Sequence, residues 1–457
     1  MKLTKYNFYN YCQKNKIIKY SYYNFLYFIY FFFTIVFISI KKDYGIHFIR
    51  RALSYGLSPI FFKKRILYLV KNISKTSGDI FLLVAILNSL GYVYIARRIL
   101  FNHSNTFRDS CSRIFRSELF TAFGHIALLD IYVKAKILGF QVYENDYIGK
   151  DASDFVIKIA GNFFQLNDLV SSKETFYENF NYTFINKKFI LFDEFTSKVQ
   201  KNYECQFSSI INYSFKNKNK NKINSGSVDK HFDWYVCIHT RASEDRLTDL
   251  RNAPFQTYHK ALKNILLKGG GVFRINEKGN VYSIFLINDD IVELLYTKDF
   301  ETQLAVISGC RFFIGTGSGP INISSHVLGR PVLSTNWAPL GCRLSWNNQV
   351  ILPKQYIKKD QSNVLSYSKR LRGGFSRIES SLRLNELGYY STNNSEYEIE
   401  VAVTEMLEAT EGDSFNGEFF LKSCLQKKFH KLITNEEKLM PIYISDYFSK
   451  QHYIEIN

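Results

Sequence analysis

Hydrophobic positions along this chain change their spacing several times, and each change marks an element. Residues 21–40, SYYNFLYFIYFFFTIVFISI, run for 20 positions without a charge, long enough to cross a bilayer as a helix. Residues 46–57, 63–73 and 79–100 place apolar side chains three and four apart and predict helices. Beyond them, 113–117 reads as a strand and 119–138 as a turn into a helix interrupted at Phe123-Gly124-His125. Residues 140–143 and 188–192 are further strands.

The pattern sharpens in the second half. Residues 234–239, WYVCIH, form a buried-type strand. Residues 254–268 predict a helix with Tyr258, Leu262, Ile265 and Leu266 on one face; Gly269-Gly270-Gly271 ends it and 272–275 is the next strand. A helix over 299–308 leads into RFFIGTGSGPINISSHVLGRPVLSTN, residues 311–336. This stretch reads as a strand at 311–316, a glycine-rich turn at 315–319, a short helix over 320–328 and a strand at 331–336. Ser395 and Glu398 form a capping box that opens a helix through 407. Alternating strands and helices predict an α/β fold.

At 457 residues the chain has room for about two globular domains. A net charge of +18 invites a nucleic-acid reading, so its distribution matters. Residues 1–65 hold twelve Lys/Arg against one acid, Asp43, and Lys216, Lys218, Lys220 and Lys222 add four more. Fifteen of the eighteen excess charges thus lie in residues 1–65 and this lysine run, and the near-neutral remainder argues against a nucleic-acid face. The run KNKNKNKIN at 216–224 is charged and low in complexity, which predicts a solvated linker. The seven cysteines are scattered and never form C-x-x-C, so neither a disulfide framework nor a zinc site is expected, and a reducing compartment is.

Lys14, Lys16 and Lys19 precede the 21–40 segment and Lys41 and Lys42 follow it, so positive charge on both sides leaves its orientation open. No small-residue cleavage site follows, which argues against a secretory signal. The segment either spans a membrane, lies in the interface with its basic flanks on anionic lipid, or is a buried aromatic helix. The expected organisation is a membrane anchor (1–45), an N-terminal α/β domain (46–214), a linker (215–230), a C-terminal α/β domain (231–411) and an extension (412–457) packing back on the N-terminal domain.

Chemistry concentrates at two strand ends. In an open parallel sheet ligands bind beyond the carboxyl ends of the strands. Arg241 follows the strand 234–239 and suits a diphosphate through two parallel charged hydrogen bonds. Thr316, Gly317, Ser318 and Gly319 follow the next such strand, and their amides open a helix with Pro320 in its first turn. The other reading of Arg241 is a salt bridge to Glu244, Asp245 or Asp249; that of His239 is a satisfied strand-end histidine; that of the glycine turn is a ligand-free bend.

His239-x-Arg241-x-x-Glu244 resembles an element of fucosyltransferase-type enzymes. More broadly, residues 233–411 are similar to a family of bacterial glycosyltransferases from surface-polysaccharide loci. The shared features are the strand ending in His-x-Arg, Arg251-Asn252 before a helix, Cys-Arg-Phe-Phe-Ile-Gly-Thr-x-Ser-Gly at 310–319, Pro-Val-Leu-x-Thr-Asn-Trp-Ala-Pro at 331–339, and Glu-Met-Leu at 405–407. The family's N-terminal Arg-Ile-Gly-His-Leu stands here as Ala122-Phe123-Gly124-His125-Ile126, which keeps Gly-His and loses the arginine.

This resemblance implies a GT-B fold: two Rossmann-like domains facing across a cleft, with the N-terminal anchor helix ahead of them. A nucleotide-sugar is the donor substrate, bound by the C-terminal domain, and no cofactor or metal is implied. His239 and Arg241 would hold the diphosphate, Thr316 to Gly319 would back it, and Asn336 and Trp337 would line the base or sugar, unless Trp337 simply packs between the domains. The acceptor would be a surface glycan or lipid-linked sugar met at the cytoplasmic face of the inner membrane. A general base must come from the N-terminal domain; His125 is the candidate, with Asp130 as the alternative and a turn-capping role as the structural reading of His125. The alternative to a transferase is a catalytically silent glycan- or nucleotide-sugar-binding relative, which the loss of arginine at Ala122 would fit.

Overall fold

The computed structural model describes residues 112–115, 123–140, 145–149, 165–167, 182–185, 188–191, 198–199, 202 and, with short gaps, 232–456. These belong to a compact unit, Ser110–Asn457. The hydrophobic segment 21–40, the helices expected over 46–100, the lysine linker and all but the first residue of the strand expected at 140–143 lie outside the described residues. No helix among the described residues is long and apolar enough to cross a membrane.

Three short parallel strands come first: β1 (Ser112–Phe115) pairs with β2 (Asn145–Gly149), and β2 with β3 (Gln165–Asn167). Helix α1 (Phe123–Ile137) lies between β1 and β2 in the chain. The turn expected at Phe123-Gly124-His125 is therefore the first turn of this helix. Strands β4 (Tyr182–Ile185) and β5 (Lys188–Leu191) form an antiparallel hairpin.

The larger sheet begins with β6 (Tyr235–His239). A 3-10 turn at Phe255–Tyr258 runs into α2 (His259–Leu267), which returns the chain to β7 (Gly271–Ile275). Strands β8 (Val281–Ile287) and β9 (Asp290–Thr297) form an antiparallel meander. Helix α3 (Phe300–Gly309) leads to β10 (Phe313–Gly315), and α4 (Gly319–Asn322) continues as a π turn (Ile323–Val327) into β11 (Val332–Trp337). Strand β12 (Gln349–Pro353) follows, then β13 (Gln355–Lys358), α5 (Tyr367–Arg372), α6 (Ser381–Glu386), β14 (Tyr389–Thr392) and α7 (Glu396–Ala409). The chain closes with α8 (Cys424–Glu437), β15 (Tyr443–Ile444) and α9 (Asp446–Gln451), before a last turn at Tyr453–Ile456.

The eight strands lie in the order β15-β12-β11-β10-β6-β7-β8-β9. The six from β15 to β7 are parallel, β8 runs opposite to them, and β9 turns back into their direction. Central strands of such a sheet are covered on both faces, which explains their continuous apolar runs: Val236, Cys237 and Ile238, then Phe312, Phe313 and Ile314, then Val350, Ile351 and Leu352 are all buried. Helices α2 and α7 pack together on the sheet, burying Leu262 and Ile265 from one and Ile399, Val403 and Met406 from the other. Helix α1 packs along α4 and the π turn, where Lys134 Nζ donates to the His326 carbonyl at 2.7 Å.

One consequence of this order positions the site. From β6 the chain moves outward to β7, β8 and β9; it then returns to place β10 on the other side of β6 and continues to β11 and β12. The direction of winding reverses between β6 and β10, and the carboxyl ends of those two strands are where open α/β sheets bind their ligands.

The C-terminal extension, expected to pack on the N-terminal half, is built into this sheet: β15 pairs with β12 at its edge. The backbone N–H groups of Asp446 and Tyr447 open α9 and donate to the two oxygens of Glu405 on α7, at 3.2 and 3.1 Å. Those amides belong to a helix first turn that has no partners of its own. Glu405→Ala should therefore lower stability by about 1.5–3 kcal/mol in chemical denaturation; a change under about 0.5 kcal/mol, typical of an uninvolved surface residue, would contradict this anchoring.

Candidate functional site

The carboxyl ends of β6 and β10 are stitched together by main chain. Thr316 N donates to the His239 carbonyl at 3.2 Å, and Arg241 N donates to Thr316 Oγ1 at 3.0 Å. The Arg241 carbonyl accepts from Ala253 N at 2.9 Å, so the backbone at Arg241 is held from both sides. Gly315 makes this approach possible: a Cβ there would stand 2.5 Å from the His239 carbonyl oxygen. Thr316 is wholly buried, and its hydroxyl serves this stitch.

His239 closes β6 and is 4% exposed. Its Nδ1–H donates to the Ile275 carbonyl at the end of β7, 2.8 Å away. Burial pushes the imidazole down to about 4, with help from Arg241 and Arg274 and against the Ile275 bond. The ring is neutral at physiological pH and works as a strand-end tie, the structural reading rather than the diphosphate contact.

The guanidinium of Arg241 lies beside Asp249, with Nε 3.2 Å from Oδ2. The same carboxylate is gripped by Arg251, whose Nε donates to Oδ1 at 2.9 Å and whose terminal NH2 donates to Oδ2 at 2.7 Å. Burial pushes the Asp249 carboxyl up, but the hydrogen bonds and charge of Arg251, with Arg241 behind them, outweigh it and hold Asp249 below the usual carboxylate range. The Arg251 stem rests on the glycine turn: its Cδ is 3.4 Å from where a Cβ on Gly317 would sit. Lys354, just past β12, sends Nζ to the Asn252 carbonyl at 2.7 Å. Among the described residues, Arg241 and Arg251 thus flank the Asp249 carboxylate at a single sheet edge, and Lys354 is bonded to the same segment.

Hydrogen-bond donors accompany that charge. Ser318 precedes α4 and is 8% exposed, and its hydroxyl has no partner among the described residues; the same holds for the Thr240 hydroxyl. The amides of Gly317, Ser318 and Gly319 likewise have no hydrogen-bond partner among the described residues. Helix α4 has only four residues before its π turn, so the donors here are individual groups of the bend, with little helix dipole behind them.

Two expected contacts are corrected by this geometry. Asn336, the last residue but one of β11, takes a left-handed conformation, φ 50°, which asparagine tolerates better than most residues. The turn buries its amide completely: Oδ1 accepts from Asn394 N at 2.8 Å and Nδ2 donates to Tyr258 Oη at 3.2 Å, while its own N donates to Asn394 Oδ1. Its polar atoms are committed to the interior and line no sugar or base. Trp337 is 3% exposed and packs in the core beside the glycine turn, its Cζ3 3.7 Å from a Cβ position on Gly317, rather than between two domains.

His125 lies in the first turn of α1, but its side chain falls outside the described residues. Asp130, the alternative base, is wholly buried and paired with Lys134 at 2.6 Å. Burial pushes its carboxyl up and Lys134 pulls it back; a group so enclosed reaches no acceptor hydroxyl. Asp249, Arg251 and Lys354 were not among the expected site residues, although Asp249 stood among the possible partners of Arg241. Arg251 carried a signal in the Arg-Asn pair, and Lys354 in its place just beyond a strand end. A cavity of about 530 Å³ lined by Glu408, Phe415, Glu418 and Tyr443 lies elsewhere. It adjoins the end of α7, where Arg311 ahead of β10 bonds Leu407 and Thr410, at the amino ends of the strands.

No family model and no curated protein matches the chain. Among solved structures it is similar to the dodecameric, iron-containing heptosyltransferase TibC, crystallised in complex with ADP-D-beta-D-heptose. The identity is 12% and the TM-score 0.27, over 50% of this chain and 59% of that one. The chain thus spans little more than half of that protein's length, and a likeness at this level leaves the site to be judged on its own geometry.

The tie at His239 has a measurable signature. Its ordinary value is 6.5 and its folded value about 4, so between these the unfolded chain binds the extra proton and stability falls as pH drops. Wild type should lose about 3 kcal/mol over this interval relative to His239→Gln, read from denaturation curves at each pH. Parallel curves for the two proteins would contradict a buried neutral ring.

Proposed function

We propose that this protein is a glycosyltransferase that moves a sugar from a nucleotide-diphosphate donor to a surface-glycan or lipid-linked acceptor. The observation that supports this reading is the meeting of Arg241, Arg251 and the amides of the 315–319 turn at the switch point between β6 and β10. A sugar nucleotide carries two negative charges on its diphosphate, which guanidinium groups bind through parallel charged hydrogen bonds. When the glycosidic bond to the donor breaks, further negative charge develops on the leaving diphosphate. Prepositioned guanidinium groups and bend amides stabilise that charge without reorganising.

In this reading the GT-B arrangement supplies the second half of the reaction. The N-terminal domain presents the acceptor across the cleft, with His125 as general base for its hydroxyl, and residues 1–45 hold the enzyme at the cytoplasmic face of the membrane where such acceptors are met. No metal is needed for the leaving group in this reading, since the two arginines occupy that electrostatic role. Ser318 Oγ is a further donor to a phosphate oxygen.

The experiment is donor hydrolysis and transfer with a panel of UDP-, GDP-, CDP- and ADP-sugars, comparing wild type with Arg241→Ala. Losing one group that stabilises developing charge costs about 10²–10³ in turnover, and a fall of that order is expected with the preferred donor. Equal background in both proteins would contradict transfer, and donor binding without turnover would identify a silent nucleotide-sugar-binding relative.

A further inference from the structure

Resting on the diphosphate reading above, we infer that Lys354 is a positioning residue of the anion site. Its charged ammonium holds the 249–252 segment, with Asp249 and Arg251, against the glycine turn in the form that receives the diphosphate.

Lys354 follows β12, so it stands at the same carboxyl edge as His239 and Gly315. Its backbone N–H donates to the Trp337 carbonyl at 3.1 Å, which fixes its base on the end of β11. From there the side chain, 4% exposed, crosses to the segment after β6 and donates to the Asn252 carbonyl at 2.7 Å. Asn252 N in turn donates to the Asp249 carbonyl at 3.1 Å, closing a turn whose side chains are the carboxylate and one of the two guanidinium groups of the site. The ammonium thus reaches Gly317 through Asn252 and Arg251 and touches no ligand itself.

The charges around it are of known sign. Asp249 favours the ammonium; Arg241 and Arg251 lie beyond that carboxylate. Arg370 on α5 is wholly buried, donates to the Lys354 carbonyl at 2.6 Å and stacks on the Tyr356 ring. His239 is neutral, and His452, beyond Gln355, is paired with Glu398. Burial pushes Lys354 down to about 8, with Asp249 opposing. A bound dianion favours the ammonium, so binding and protonation are linked. The neutral amine bonds Asn252 more weakly than the ammonium does, so deprotonation loosens the 249–252 segment, whereas a lysine with no part in the anion site leaves affinity independent of pH in this range.

The test is calorimetric titration of the full chain with UDP-glucose, GDP-mannose and ADP-glucose from about pH 7 to about pH 9, where the diphosphate diester keeps both charges. With a folded value of about 8, full coupling weakens wild-type affinity about tenfold across this interval. Lys354→Arg, charged throughout, should bind as wild type does at the lower pH and stay level to the higher. Lys354→Met should bind weakly and level. Wild-type affinity that does not change with pH, or a methionine variant that matches wild type, overturns the proposal even if the sugar nucleotide binds. Failure of all three probes at every pH overturns the diphosphate reading and this one with it.

Discussion

Every functional statement about this chain depends on how closely two parallel strands end beside each other. The carboxyl end of β10 meets the carbonyl of His239 across a gap that a Cβ would close, and Gly315 leaves it open. Within that gap Thr316 and Arg241 exchange hydrogen bonds with the opposite strand. The constraint is one of main chain, so the arginine is delivered to the glycine turn whatever its own side chain does. Buried neutral His239 secures the third strand, β7, to the same corner.

Electrostatics then shapes what this corner receives. Burying several like charges is costly unless each is paired or awaits a partner. Asp249 answers part of that cost by pairing with two guanidinium groups, and it fixes the direction of Arg251 through bidentate geometry. Hydroxyl groups without a partner among the described residues stand near these guanidinium groups. In the proposed reading, both meet the acceptor oxygens of a diphosphate.

Much of this was legible in the sequence because the governing signals are local. Buried parallel strands read as continuous apolar runs, and β6, β7, β10 and β11 were found from them. The capping box forms as expected: Ser395 Oγ accepts from Glu398 N at 3.2 Å, and Glu398 accepts from Ser395 N at 2.7 Å. The edge elements were not legible. Strand β15 has two residues and exists because β12 is there to pair with it. The cluster of Asp249, Arg251 and Lys354 joins residues about a hundred positions apart, and no periodicity announces that. Asn336 shows the opposite failure: a strand-end rule places a residue at the ligand edge, but a left-handed backbone turned this one inward.

A structure of the protein with a nucleoside diphosphate tests the central claim most directly. The account predicts phosphate oxygens within hydrogen-bonding distance of both the Arg241 guanidinium and the amides at Gly317 to Gly319. A diphosphate bound at another edge of the sheet, with this corner empty, would contradict it.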